Sequence, residues 1–376
     1  MLSQPPIWLI LLAFVCALGP LVFIHEMGHY LVARWFGVGA ETFSIGFGKE
    51  ITGWTDKSGT RWKVGWLPLG GYVKFIGDEN EASTSGDLSQ LSPEDRARSF
   101  HLKPVWQRFL IVLAGPVSNF LLAIAIFAAF FVAFGVPRTP SVAGAIEPRS
   151  AAASAQIRTG DRIVSMGNRQ IGTFGDLLNY TVLRPGEVVK VRFERNQKVH
   201  EATVRLGTLE EKDRFGQRFK RGYLGISPPE AVYERVSAVK LVPLATVHVV
   251  KLTRTMLDAL WQIVTGRRSI KELGGPLKIA QVAGQQATLG LLAFVSLVAL
   301  LSINLGFINL LPVPMLDGGH LLFYGIEAAR RRPVSPEAQE WAFRGGLAFI
   351  MALLVFTTVN DLGSFGLWER LGRLIG

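Results

Sequence analysis

The chain has one cysteine in 376 residues, Cys16. That excludes an internal disulfide and any metal site built from thiolates. Charge is scarce as well: Asp, Glu, Lys and Arg make up 18% of residues against 49% apolar, a skew toward membrane proteins. The scarcity is uneven. No charged side chain precedes His25, and residues 115–136, 287–316 and 345–360 carry none either. The N-terminus lacks the basic start of a secretory signal, since the first Lys or Arg is Arg34, and it has no clear small-x-small cleavage site. A retained membrane helix is expected there instead. The net charge of +11 suits a protein lying on anionic lipid. No basic helix or zinc-finger spacing accompanies that charge, so nucleic acid is not expected as a partner.

What is present divides into four apolar spans and two polar stretches. The span at 345–360 is short, and Arg344 could snorkel to lengthen it. Four spans put both termini on one side. Arg34, Lys103 and Arg108 flank the first connecting loop, and Arg330, Arg331 and Arg332 sit in the last. Both loops are therefore expected in the cytoplasm. The long stretch between the second and third spans then lies outside.

In the first loop, apolar and polar residues alternate over 61–66, turn residues occupy 67–71, and strand character resumes at 72–75. Residues 41–47 could pair with it. Two readings stand side by side: a small cytosolic sheet, or an apolar edge that takes a substrate as an added strand. Residues 79–98 are Ser/Asp/Glu-rich and read as a mobile loop. From 137 to about 229 the composition turns soluble. A short helix at 150–157, strands at 162–166 and 188–193 and a helix at 174–181 follow in an order that resembles a PDZ domain. Tyr223, Leu224, Gly225 and Ile226 resemble its carboxylate-binding loop. Such a module either binds a peptide or blocks access sterically. Residues 236–265 form an amphipathic helix suited to a membrane surface.

The chemistry centres on His25-Glu26-Met27-Gly28-His29. Histidines four apart share one helix face and can reach one metal, with Glu26 beside them to take a proton from water. Two histidines leave a catalytic zinc one protein ligand short. Asp317 is the first charge after the apolar run 287–316, in a segment with two prolines and two glycines. Unwound backbone at membrane depth has to line a polar cavity or be buried. The other reading of Asp317 is a solvated helix end, and His320 is the alternative ligand.

These motifs, with PLGGYVKF, AGPVSNF, GGPLKIAQ and NLGFINLLPVPMLDGGH in order, resemble the site-2 intramembrane metalloproteases of the regulator-of-sigma-E type. The resemblance implies a mainly α membrane protein: four transmembrane helices, a membrane-associated β-loop and one inserted PDZ-like α+β domain. It implies a first helix with the metal motif (1–30), a cytoplasmic loop with a re-entrant β-hairpin (31–104) and a second helix (105–136). A periplasmic PDZ-like domain (137–230), an interfacial helix and linker (231–285) and a third helix with the aspartate (286–317) follow, then a cytoplasmic loop (318–343) and a fourth helix with a tail (344–376). It implies one Zn²⁺ per chain held by His25, His29 and Asp317, with Glu26 and Asn309 catalytic. Gly70, Gly71, Tyr72, Val73, Lys74, Phe75 and Asn304 would contact substrate. Asn119 reads as an interhelical packing residue. The expected activity is endopeptidase cleavage of single-span membrane proteins, an anti-sigma factor or remnant signal peptides, in a bacterial inner membrane. The competing classes are a membrane-anchored PDZ adaptor with an inactive protease core and a metal transporter.

Overall fold

Residues 7–33 are apolar at nearly every position and form one helix, α1 (Ile7–Trp35), which continues through Pro20. The computed structural model describes residues 5–80, 88–212, 218–229 and 232–364. Two long bent strands follow α1: β1 (Ala40–Thr55) and β2 (Arg61–Phe75). Residues 40–45 pair antiparallel with 71–75, and 50–55 antiparallel with 61–65. Residues 42–45 also run beside 61–64, with partner numbers rising together. Each strand therefore doubles back, giving a sheet of four segments in the order 50–55, 61–67, 40–47, 71–75. The alternation at 61–66, the turn and the strand at 72–75 are where the sequence puts them; segment 50–55 is additional. Its turn is built by Asp56, which accepts from the N–H groups of Ser58 and Thr60 at 2.8 and 3.0 Å. Asp56 also accepts from Trp62 Nε1–H at 2.9 Å and from the Tyr30 hydroxyl at 3.4 Å. The sheet is thus fastened to α1 one residue beyond His29.

Within 79–98, read as a mobile loop, α2 (Pro93–Arg98) forms because Pro93 opens it and the Ser92 hydroxyl caps it by accepting from Asp95 N–H; residues 81–87 lie outside the described residues. Helix α3 (Val105–Phe134) starts ten residues before the charge-free run. It packs against α1 at glycines on both sides. A Cβ on Gly28 would overlap the Ala114 carbonyl, and one on Gly115 would overlap the His29 ring. The Ser118 hydroxyl donates to the Ile24 carbonyl at 2.8 Å across the same contact.

Residues Ala128–Leu273 form a compact unit of their own. It contains β3 (Val136–Arg138), β4 (Ala145–Ile146), α4 (Ala151–Ser154), β5 (Arg162–Met166) and β6 (Arg169–Gln170). Then come α5 (Phe174–Val182), β7 (Val188–Arg195), β8 (Lys198–Arg205), β9 (Gly207–Lys212), β10 (Arg218–Tyr223), β11 (Ile226–Ser227) and β12 (Val232–Glu234). The main sheet runs β6-β5-β7-β8. Its inward residues Ile163, Met166, Val191 and Val204 make a core with Leu177 and Leu224. Helix α6 (Ala238–Val264) joins this unit through ion pairs: Lys251 with Asp176 at 3.0 Å, Arg169 with Asp258, and Arg184 with Asp258 at 3.8 Å.

The other unit, Met1–Phe127 with Gly274–Asp361, is completed by four helices. The charge-free run 287–316 is not one helix. Helix α7 (Pro276–Thr288) ends before Gly290, whose φ is +107°, and α8 (Leu291–Asn309) carries the span alone. Asp361 is fully buried and accepts from Gly275 and Lys278 N–H at 3.1 and 2.9 Å, capping the start of α7. After α8 the chain is non-helical over 310–316, where Pro312 and Pro314 withhold donors and Met315 adopts φ +81°. The break precedes the aspartate: Asp317 opens α9 (Asp317–Arg330), and Gly318 and Gly319 lie inside that helix, against the carbonyls of Leu311 and Val313. The last helix, α10 (Pro336–Ser364), is far longer than the charge-free stretch 345–360, since it starts in a polar turn where Glu340 and Arg344 pair at 2.5 Å. Four helices, α1, α3, α8 and α10, are long and apolar enough to cross a membrane by length and composition.

Gly28→Ala is expected to lower stability by about 1–3 kcal/mol, the usual cost of overpacking, in reversible denaturation in mixed micelles. Gly325→Ala and Gly345→Ala, where an added Cβ meets nothing within 4 Å, should be neutral or stabilising by up to about 1 kcal/mol. Equal losses in all three would refute the close-packing account.

Candidate metal centre

His25 and His29 lie one turn apart on the buried face of α1, each about 8% exposed or less. The start of α9 brings Asp317 to them. Its Oδ2 stands 3.1 Å from His25 Nε2 and 3.5 Å from His29 Nε2, and the two nitrogens are 3.3 Å apart. A tetrahedral ion with bonds of 2.0–2.2 Å needs ligand atoms about 3.3–3.6 Å from one another. The three donor atoms therefore already mark one face of such a tetrahedron. Among the described residues this is the one group of three or more His, Cys, Asp or Glu side chains so arranged.

The hydrogen-bond pattern fits a cation. His29 Nδ1–H donates to the Ile111 carbonyl of α3 at 2.9 Å, which leaves Nε2 with its lone pair facing the triangle. Asp317 Oδ2 is buried without a hydrogen-bond partner. Glu26 is 8% exposed and is adjacent in sequence to His25, and the Asp317 side chain, 18% exposed, meets both histidines. Carboxylates held this far from water beside imidazole nitrogens suit a site that a positive ion completes. The residues present fit a divalent metal of zinc type.

A cavity of about 970 Å³ opens onto the triangle. Glu26, outside the ligand cluster, lines it, as do Asn309 and His320. Asn309 ends α8, and its Nδ2 is 3.4 Å from His25 Nε2. His320 turns its ring to Phe343, at a centroid distance of 5.0 Å, rather than into the triangle. Gly70, Gly71, Tyr72, Val73 and Phe75 of β2 line the same cavity. A Cβ on Gly71 would press on Glu26 Cγ at 3.1 Å, so the sheet edge passes directly beside the carboxylate. Lys74 points elsewhere, to Glu41 at 2.9 Å. Asn304 is not in the lining; five residues before Asn309, it sits about 140° away round α8. Asn119, read from sequence as a packing residue, is fully buried with Nδ2 3.0 Å from His25 Nδ1. A polar residue within the charge-free run 115–136 was the signal for it.

In the separate unit, Tyr223 ends β10 and Ile226 opens β11. Leu224 is buried in the core, and its carbonyl accepts from Ala152 N–H at 2.8 Å.

The sequence model of peptidase family M50 matches residues 13–353. A protein of Agrobacterium fabrum, named as a candidate zinc metalloprotease, is 44% identical and covers 93% of this chain and 95% of its own length. The metalloprotease MmpA of Caulobacter vibrioides is 38% identical over 97% of this chain and 98% of its own. Among solved structures, the PDZ domain of an SdrC-like protein from Listeria monocytogenes covers 25% of this chain and 90% of its own at 18% identity. Its TM-score of 0.20 is too low to bear on the fold. A family match spanning the first apolar helix to the last, with relatives aligned end to end, settles the assignment: the chain belongs to peptidase family M50, the site-2 metalloproteases.

Proposed function

We propose that this chain is an intramembrane zinc endopeptidase that cleaves single-span membrane proteins, such as an anti-sigma factor or remnant signal peptides, in a bacterial inner membrane. The observation that carries the reading is the donor triangle of His25, His29 and Asp317, held between helices apolar enough to span a bilayer. In this arrangement the loops at 31–104 and 318–343 face the cytoplasm and the PDZ-like domain at 137–230 faces the periplasm.

His25 Nε2, His29 Nε2 and an oxygen of Asp317 would hold the ion, which supplies Lewis acidity and brings the pKa of water toward about 7. Glu26 takes the proton of the attacking water on its carboxylate and returns it to the departing amide nitrogen. The Asn309 Nδ2–H group donates toward the carbonyl oxygen as negative charge develops on it. A substrate that spans the membrane as a helix has its carbonyls tied in hydrogen bonds and must unwind first. The edge segment 71–75 can take the unwound stretch as an added strand, replacing those lost bonds while Gly71 keeps the scissile region beside Glu26.

Removing the proton acceptor while leaving the ligands intact separates chemistry from metal binding. Glu26→Gln should cut cleavage of a single-span reporter in detergent by about 100- to 10,000-fold and retain zinc by elemental analysis. Asp317→Ala should lose both zinc and activity. Chelation should silence the wild type, and added Zn²⁺ should restore it. Full-rate cleavage by Glu26→Gln, or by protein stripped of metal, would sink the reading.

Two glycines introduced next to the scissile bond of an otherwise leucine-rich reporter relieve about 2 kcal/mol of helix preference. They should raise kcat/KM by up to about thirtyfold. A rate indifferent to helix breakers would argue against an unwinding step.

A further inference from the structure

The two histidines of the triangle are not oriented in the same way. His29 is fixed by a main-chain acceptor on α3, the Ile111 carbonyl. Two turns further along α3, the side chain facing the outer nitrogen of His25 is Asn119, at 3.0 Å from Nδ1. With the carboxamide nitrogen toward Nδ1, the ring proton is forced onto Nε2, where it points into the donor triangle. Half a turn about the Cβ–Cγ bond exchanges the two ends at almost no steric change. Oδ1 then accepts from Nδ1–H, and His25 Nε2 presents a lone pair, matching His29. The main chain of Asn119 plays a separate part. Its carbonyl accepts from the Ser302 hydroxyl at 2.7 Å, tying α3 to α8. That bond survives any substitution of the side chain.

We propose that Asn119 is the positioning residue for His25, its carboxamide oxygen accepting from Nδ1–H and fixing the ring in the orientation and tautomer that bind metal. The inference rests on the zinc reading of the triangle. It gives α3 one function in two places: each histidine of α1 receives one acceptor from it, a main-chain oxygen at Ile111 and a side-chain oxygen at Asn119. A residue that only filled space between helices would tolerate an apolar replacement of similar size. An orienting acceptor would not, and a carboxylate, also an acceptor, would replace it.

The test is Zn²⁺ affinity of the full chain in detergent, measured by competition with a chromophoric chelator. Asn119→Leu should weaken binding about 10- to 100-fold, the usual effect of removing an orienting partner. Asn119→Asp should bind within about threefold of wild type or more tightly. Ser302→Ala, which breaks the interhelical bond and spares the contact to His25, should leave affinity unchanged. Should the leucine variant fail to fold, Asn119→Ala replaces it under the same criterion. Wild-type affinity in the variant lacking an acceptor would overturn the proposal. So would an aspartate variant as weak as the leucine one, or a Ser302→Ala variant that loses zinc equally. A wild-type chain that binds no zinc at all would instead overturn the reading of the triangle itself.

Discussion

The structure depends on how closely α1 and α3 approach. Gly28 and Gly115 remove the two side-chain atoms that would hold them apart. At that separation the His29 ring lies over Gly115 with its outer nitrogen on Ile111. The metal motif is therefore not a property of α1 alone. The first helix supplies the nitrogens, the second supplies the space and the orienting oxygens, and the chain after α8 supplies the carboxylate.

Polar groups can be buried among apolar helices where partners await them. Ser118 is satisfied by Ile24, Ser302 by Asn119 and Asp361 by the N–H groups that open α7. Among the described residues Asp317 Oδ2 is one of six buried side-chain polar atoms without a hydrogen-bond partner, and the one of them that faces both histidines. A buried carboxylate oxygen left open between two imidazoles marks where a ligand belongs.

Much of this was legible in the sequence, and the reasons are local. Histidines four apart on a continuous apolar helix must share a face, and an aspartate closing a charge-free run has few ways to be buried cheaply. Strand alternation at 61–66 and turn residues at 67–71 carried the inner part of the sheet. What hydropathy could not show were features set by backbone geometry and side-chain hydrogen bonds. Gly290 interrupts a run with no charge to mark it, so α7 and α8 merge in any apolar average. Segment 50–55 pairs with 61–65 as a local hairpin whose turn Asp56 closes through its carboxylate. Asn119 was visible as a polar residue in an apolar run, but only the crossing of α1 and α3 shows that it faces His25.

The ion pairs that fasten α6 to its neighbouring β-rich domain have a mechanical consequence. Lys251 with Asp176 is half open to solvent on the lysine side, whereas Arg169 and Arg184 meet Asp258 with all three side chains at least three-quarters covered. An open pair of the first kind holds about 0–1 kcal/mol and weakens with salt, while the sheltered cluster is screened much less. Rising ionic strength therefore loosens the helix at Lys251 first and leaves Asp258 as its anchor.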